Sequence, residues 1–233
     1  GTLRLLEIIR HYKKKKIKFY QASSSEMFGK SKPPQNEKTL FQPRSVYAIS
    51  KVFAYHSVIH YRDAYALHAC NGILFNHESP RRGVNFVTKK IVQGLVRIKQ
   101  GKQKMLILGN LYSRRDWGHA NDYVESMWNI LQQKKANDFV IATKTSNSVK
   151  DFINICAKKL NIKLNWKNKG LKEIAINKLT NKTIIKVDQK YFRETEVDNL
   201  VGDFSKARRL LKWKPKYSFD KLIDDMINNE LND

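Results

Sequence analysis

Apolar residues recur at helical spacing from the start of the chain, at Leu3, Leu5, Leu6, Ile8, Ile9 and Tyr12. They predict a helix over residues 2–12 with a broad buried face. Lys13–Lys16 follow at the end where cations suit the helix dipole. A short apolar strand over 17–22 comes next and turns polar at Ser23, Ser24, Ser25 and Glu26. After a loop rich in Pro and Lys, a helix begins near Ser45 and runs to about Tyr65. A second apolar strand, 69–75, leaves through the polar run Asn76, His77, Glu78, Ser79, Pro80, Arg81, Arg82 and Gly83. Helical spacing returns over 85–99 at Phe86, Val87, Ile91, Val92, Leu95 and Ile98. A hairpin or strand is expected within 101–109, a dense polar turn over 114–122, a helix over 123–133 and a buried strand over 139–143. Ser148, with Asp151 three residues on, caps a helix over 149–160 in the manner of a capping box. Residues 161–187 are Lys/Asn-rich and carry little signal, and helices over 205–211 and 219–229 end the chain. Helices alternating with near-continuous apolar strands predict an α/β fold whose parallel sheet is covered on both faces.

Two stretches carry candidate chemistry. Tyr47 and Lys51 stand four apart on the helix that begins near Ser45, so their side chains leave one face. An ammonium beside a phenol favours the phenolate, a base able to take a proton from a sugar or alcohol hydroxyl. Ser24 and Glu26, two apart at the end of the preceding strand, are expected to share a face of an extended segment. A solvated i,i+4 pair is the alternative for Tyr47–Lys51. At 76–83, two adjacent arginines with a glycine suit a phosphate or carboxylate clamp, because a guanidinium fork grips oxyanions bidentately. That segment leaves a strand at the expected carboxyl edge of a parallel sheet, where α/β folds bind ligands.

Composition narrows the classes. At 233 residues, 41% hydrophobic and 11% aromatic, the chain can build a full core. No apolar run approaches the length of a membrane span. Residues 1–16 place their lysines after the apolar part, the reverse of a secretory signal. Cys70 and Cys156 are too few and too far apart for a disulfide scaffold or a metal site, and a cytoplasmic location is expected. The formal charge of +24 raises the question of nucleic acid. Lysines outnumber arginines 33 to 12, however, and the excess is scattered over 1–188 alongside abundant Asn and Ile. A/T-rich coding explains that better than base recognition does, so no specific nucleic-acid partner is expected.

The stretches QASSSEMFG, PRSVYAISK, NGILFNHESPRRG and RDWGHANDYV closely resemble the GDP-mannose 4,6-dehydratase family, extended members of the short-chain dehydrogenase/reductase superfamily. The resemblance runs through nearly the whole chain. It implies the C-terminal part of a Rossmann-like doubly wound parallel sheet with a smaller mixed α/β substrate-binding region. Residues 1–82 would be the C-terminal half of the NADP-binding domain. Residues 83–233 would mainly bind substrate, with a strand near 139–143 returning to the first sheet. The implied reaction converts GDP-mannose to GDP-4-keto-6-deoxymannose by internal hydride transfer and loss of water, with NADP as cofactor. Ser24, Glu26, Tyr47 and Lys51 would be catalytic, and Tyr47, Lys51, His77 and Arg82 would hold the cofactor. Asn76, Val87, Lys90, Arg115, Arg193 and Glu196 would bind the sugar nucleotide, with Lys89 a neighbour easily confused with Lys90. A homo-oligomer, dimer or tetramer, is the expected assembly of the full-length protein.

Several positions depart from the family's pattern. Ser24 stands for a usual Thr, Val46 for Pro, Ala48-Ile49 for Gly-Ala, Lys144 for Gly and Glu194 for Pro. No set of the ten glycines spells the Gly-rich turn on which a dinucleotide pyrophosphate rests. The expectation is therefore a fragment that begins within the Rossmann-like domain and is inactive alone. The competing expectations are another NDP-sugar dehydratase or epimerase, and a non-catalytic sugar-nucleotide or polyanion binder.

Overall fold

The computed structural model describes residues 1–12, 17–192 and 199–232. It begins with α1 (Thr2–His11), β1 (Lys18–Ser24), α2 (Val46–Tyr65), β2 (His68–Leu74) and β3 (Asn76–Glu78). Then come α3 (Val87–Lys99), β4 (Leu106–Leu108), β5 (Arg114–Arg115), β6 (Trp117–His119), α4 (Ala120–Gln132) and β7 (Asp138–Ile141). The remainder is β8 (Asn147–Ser148), α5 (Val149–Lys159), β9 (Leu164–Lys167), β10 (Ile174–Asn177), β11 (Thr183–Val187), β12 (Asn199–Leu200), α6 (Ser205–Leu211) and α7 (Phe219–Asn232).

The chain divides into two compact units, the first made of 1–77, 116–146 and 199–216, the second of 78–115, 147–198 and 217–233. Residues 78–82 thus group with the second unit, while 116–146 and 199–216 return to the first. In the first unit β1, β2 and β7 form a parallel sheet in that order, β1 aligned on β2 from Lys18↔His68 to Ser24↔Leu74. Alternation along β2 assigns each face its helices. Ala69 packs with Leu6 of α1 and Val58 and Tyr61 of α2. Its neighbour Cys70 packs with Tyr123 and Ile130 of α4 and Ala207 and Leu211 of α6. With both faces covered, every residue of β2 after His68 is buried, as a central parallel strand requires. Arg62 of α2 ties the helix layer to the sheet: its guanidinium bonds both oxygens of Asp138, at 2.9 and 2.7 Å. Asp138 also accepts from the Asn71 backbone N–H and side-chain amide.

In the second unit β4, β11, β10 and β9 form a sheet in that order, parallel between β11 and β4 and antiparallel elsewhere. Helices α3, α5 and α7 pack together, with Phe152 of α5 edge-on to Phe219 of α7 and Lys159 paired to Asp224.

Four expectations need correction. The first strand ends two residues later than residue 22, because Ser23 satisfies its hydroxyl inside by donating to Asn71 Oδ1 and Ser24 keeps the ladder with Leu74. The broad buried face of α1 is not formed: Leu6 is fully buried, whereas Leu3, Leu5, Ile8 and Tyr12 are exposed. Residues 114–122 are two short strands and a helix start rather than a turn. Helix α4 begins at Ala120, since His119 Nδ1 accepts from the Asn121 N–H and caps it. Lys13–Lys16 lie outside the described residues.

Candidate active site

The helix α2 shows why Tyr47 and Lys51 can work together. Its buried residues Ala48, Ala54, Tyr55, Val58 and Tyr61 mark one side, and at about 100° per residue Tyr47 and Lys51 fall on that side near the N-terminus. Ser45 fixes the start by accepting the Ala48 N–H at 3.1 Å. From there Lys51 Nζ reaches back to the sheet and donates to the Ala22 carbonyl of β1 at 2.7 Å. The same ammonium stands 5.6 Å from the centroid of the Tyr47 ring, and Tyr47 itself is 54% exposed. The bulk introduced at Ile49 does not enter this packing, because Ile49 is exposed on the far side of the helix.

Two residues beyond Ala22, Ser24 ends β1 in extended conformation and caps a single 3-10 turn, Ser25–Phe28. Its Oγ accepts the Glu26 N–H at 3.2 Å. Glu26 therefore does not share an extended face with Ser24; the cap, not strand alternation, brings the two together. Met27 and Phe28 are fully buried and lock the turn, Phe28 packing on Phe75 with ring centroids 6.0 Å apart. Gly29 turns the chain away at φ +53, where a side chain would collide with the Gln42 carbonyl.

Asn76 and His77 follow β2 directly. Oδ1 of Asn76 is buried without a hydrogen-bond partner among the described residues. His77 holds its ring through Nδ1 to the Phe75 carbonyl at 2.9 Å and stacks on Tyr123 at 4.9 Å. Sequence reasoning undervalued Asp116. Its carboxylate accepts from the N–H and hydroxyl of Thr143, the N–H of Lys144 and the N–H of Gly202. Burial pushes it up to about 6 against those hydrogen bonds, which hold it down. Presenting two successive N–H groups to one carboxylate puts Lys144 at φ +63, a conformation suited to the glycine usual there in the family it resembles. Nothing in the sequence marks this role beyond the Asp-Trp-Gly motif.

The remaining candidates belong to the second unit. Arg82 Nε lies 3.1 Å from the buried carboxylate of Glu78, and its guanidinium stacks 3.5 Å from the Phe86 ring centroid. Burial raises Glu78, while Arg82 and the Thr88 hydroxyl pull it back. Val87 opens α3 and is partly exposed. The ambiguity between two adjacent lysines is resolved by burial. Lys89 points inward to Glu230, and Lys90 lies 4.0 Å over the Tyr191 ring in a cleft of about 250 Å³ shared with Gln93, Gln103 and Leu106. Desolvation there lowers Lys90. Arg115 sits half-buried in β5, which pairs with β8, and donates to the Arg114 carbonyl. Arg193 and Glu196 lie outside the described residues. No helix among the described residues is long and apolar enough to cross a membrane, and no three His, Cys, Asp or Glu gather as a metal site.

The parallel sheet β1-β2-β7, with helices on both faces, makes the first unit a Rossmann-like α/β fold. Solved structures share that fold. RMD from Pseudomonas aeruginosa complexed with NADPH superposes with a TM-score of 0.83 at 19% identity, over 100% of this chain and 72% of that one. The dTDP-glucose 4,6-dehydratase of Bacillus anthracis in complex with NAD gives 0.80 at 20% identity, over 100% and 67%. The chain belongs to the GDP-mannose 4,6 dehydratase family, whose model matches residues 1–226. It is 51% identical to GDP-mannose 4,6 dehydratase 1 of Arabidopsis thaliana, covering 99% of this chain and 60% of the relative. To the Dictyostelium discoideum GDP-mannose 4,6 dehydratase it is 49% identical, covering 99% and 65%. The chain thus spans about three-fifths of the length of the curated relatives it matches.

Proposed function

We propose that the protein containing this chain is a cytoplasmic hydro-lyase that converts GDP-mannose to GDP-4-keto-6-deoxymannose with NADP as cofactor. The observation that carries the reading is the Lys51 ammonium, fixed on the Ala22 carbonyl beside the Tyr47 ring, while Ser24 ends the same strand and caps the turn that carries Glu26. The residues present suit the ribose and nicotinamide side of a dinucleotide. Lys51 spends one N–H on Ala22 and retains two for ribose hydroxyls. His77 and Arg82 are the further contacts. When bound, the nicotinamide would accept a hydride from C4 of the mannose ring and return it to C6.

The chain's own groups divide the rest of the chemistry. Tyr47, beside the Lys51 ammonium, removes the C4 hydroxyl proton, and Ser24 hydrogen-bonds the C4 oxygen. A C4 ketone makes the C5 proton acidic; Glu26 takes it, the C6 hydroxyl leaves as water with the proton that Tyr47 took from the C4 hydroxyl, and Glu26 returns a proton to C5 as the hydride arrives at C6. A phenolate for a hydroxyl and a carboxylate for an activated C–H match each base to its proton. The unpartnered Asn76 Oδ1 supplies an acceptor for a sugar hydroxyl. Val87, Lys90, Arg115, Arg193 and Glu196 would hold GDP, Lys90 and Arg115 at the diphosphate.

A homo-oligomer fits the opposite face of α2, where Val46, Ile49 and Phe53 form an exposed apolar stripe. The cysteines are free and buried, as a reducing compartment permits. Incubating the full-length gene product with GDP-mannose and NADP⁺ tests the reading. A 4-keto-6-deoxy product is expected; inversion at C4 would make the protein an epimerase, and absence of turnover would leave it a sugar-nucleotide binder.

A further inference from the structure

The turn 79–82 is held from two sides. Lys89 is 7% exposed, a depth at which an unpaired ammonium would be costly. Its Nζ lies 2.7 Å from Glu230 Oε2 on α7, both side chains being 9% exposed, and donates to the Pro80 carbonyl at 3.2 Å. Pro80 stands two residues before Arg82, and the Arg82 N–H closes the turn on the Ser79 carbonyl at 3.0 Å. On the other side Glu78, 2% exposed, meets Arg82 Nε and accepts the Thr88 hydroxyl. The guanidinium thus leaves a turn whose backbone is pinned by an ammonium, and that ammonium is set in turn by the C-terminal helix.

We propose that Lys89 is a positioning residue for Arg82. Clamped by Glu230, it fixes the Pro80 carbonyl and with it the height at which Arg82 is presented to an anionic part of the cofactor. The inference rests on Arg82 being a cofactor contact. Glu78 and Phe86 restrict the guanidinium itself, whereas Lys89 restricts the backbone from which it springs, so the two supports act in series. Helix α7, remote from Arg82 in sequence, would then contribute to cofactor affinity through one ion pair.

The test uses the full-length gene product with Lys89→Met, Lys89→Arg, Glu230→Gln and Arg82→Ala, scored by KM for NADP⁺, KM for GDP-mannose, kcat and Tm. Lys89→Met is expected to raise KM for NADP⁺ about 10-fold, as for coupled residues that act through a shared partner. KM for GDP-mannose should be unchanged, and Lys89→Arg should restore most of the loss. In the Arg82→Ala background, Lys89→Met should add nothing. A lowered Tm with unchanged KM for NADP⁺ would reduce Lys89 to a brace of the fold and overturn the proposal, as would full additivity with Arg82→Ala. If Arg82→Ala leaves KM for NADP⁺ unchanged, the cofactor role of Arg82 fails first, and this inference with it. Should Lys89→Met not fold, Glu230→Gln, which keeps shape and drops the charge, is read by the same criteria.

Discussion

At the scale of single residues, the two proposed bases should fail differently. Tyr47→Phe removes the group that takes the hydroxyl proton and should lower kcat by about 10²–10⁴-fold with little change in substrate KM. Glu26→Gln should instead arrest the reaction with the C5 proton in place, seen as loss of solvent deuterium incorporation at C5. Asp116 makes a prediction about stability. Burial raises its pKa from 3.8 to about 6, so the folded chain holds this proton more tightly than the unfolded one. The stability it confers is then complete below pH 3.8 and is lost as pH rises through 6, amounting to about 3 kcal/mol. The stability difference between wild type and Asp116→Asn, from urea titrations, should therefore shrink between pH 4 and pH 6.5. Both features differ in how far the sequence disclosed them. Tyr47 and Lys51 announce themselves by spacing, which helical geometry converts directly into a shared face. The Asp116 partners are backbone N–H groups from 143, 144 and 202, which no spacing rule connects.

At the scale of elements, the helices with marked ends were legible. Ser45, and Ser148 with Asp151, use side-chain oxygens that the sequence displays, and both caps form. The sheet β4-β11-β10-β9 was not legible, because β9 and β10 show weak contrast between buried and exposed positions and lysines interrupt the apolar pattern. The Glu26 turn was hidden for a related reason: a cap on a four-residue 3-10 turn leaves no periodicity. The connection after β7 offers a test of local strain. Lys144 sits at φ +63, its side chain is 60% exposed, and its contact with Asp203 is long at 3.9 Å. Lys144→Gly should raise stability by about 0.5–1 kcal/mol, because relief of the left-handed backbone outweighs a weak surface pair. A higher Tm at unchanged unfolding cooperativity would bear this out.

At the scale of the whole molecule, charge and exposed apolar surface set the expectations. With +24 formal charges the protein should adhere to any polyanion at low ionic strength and let go as salt rises, without base preference. Association with a second copy is a separate matter. Val46, Ile49 and Phe53 lie on the side of α2 away from Tyr47 and Lys51, at 83, 56 and 61% exposure. Ile49→Glu with Phe53→Glu should convert an oligomer of the full-length protein to monomers, measured by light scattering, and leave the helix intact because neither residue supports the fold. Unchanged mass would place the contact elsewhere. The fold class and both ends of α2 were readable from pattern alone, whereas the division into units was not. The chain crosses between them at 77–78, 115–116, 146–147, 198–199 and 216–217, and several of those crossings have no compositional mark.

The bond from Lys51 to the Ala22 carbonyl has an implication for how such a site drifts over time. The acceptor is main chain, so any amino acid at position 22 supplies it as long as strand alignment is kept. Position 22 can vary freely in chemical type without disturbing the ammonium, while an inserted or deleted residue in β1 would misplace it at once. This part of the site is vulnerable to changes in length and tolerant of changes in letter.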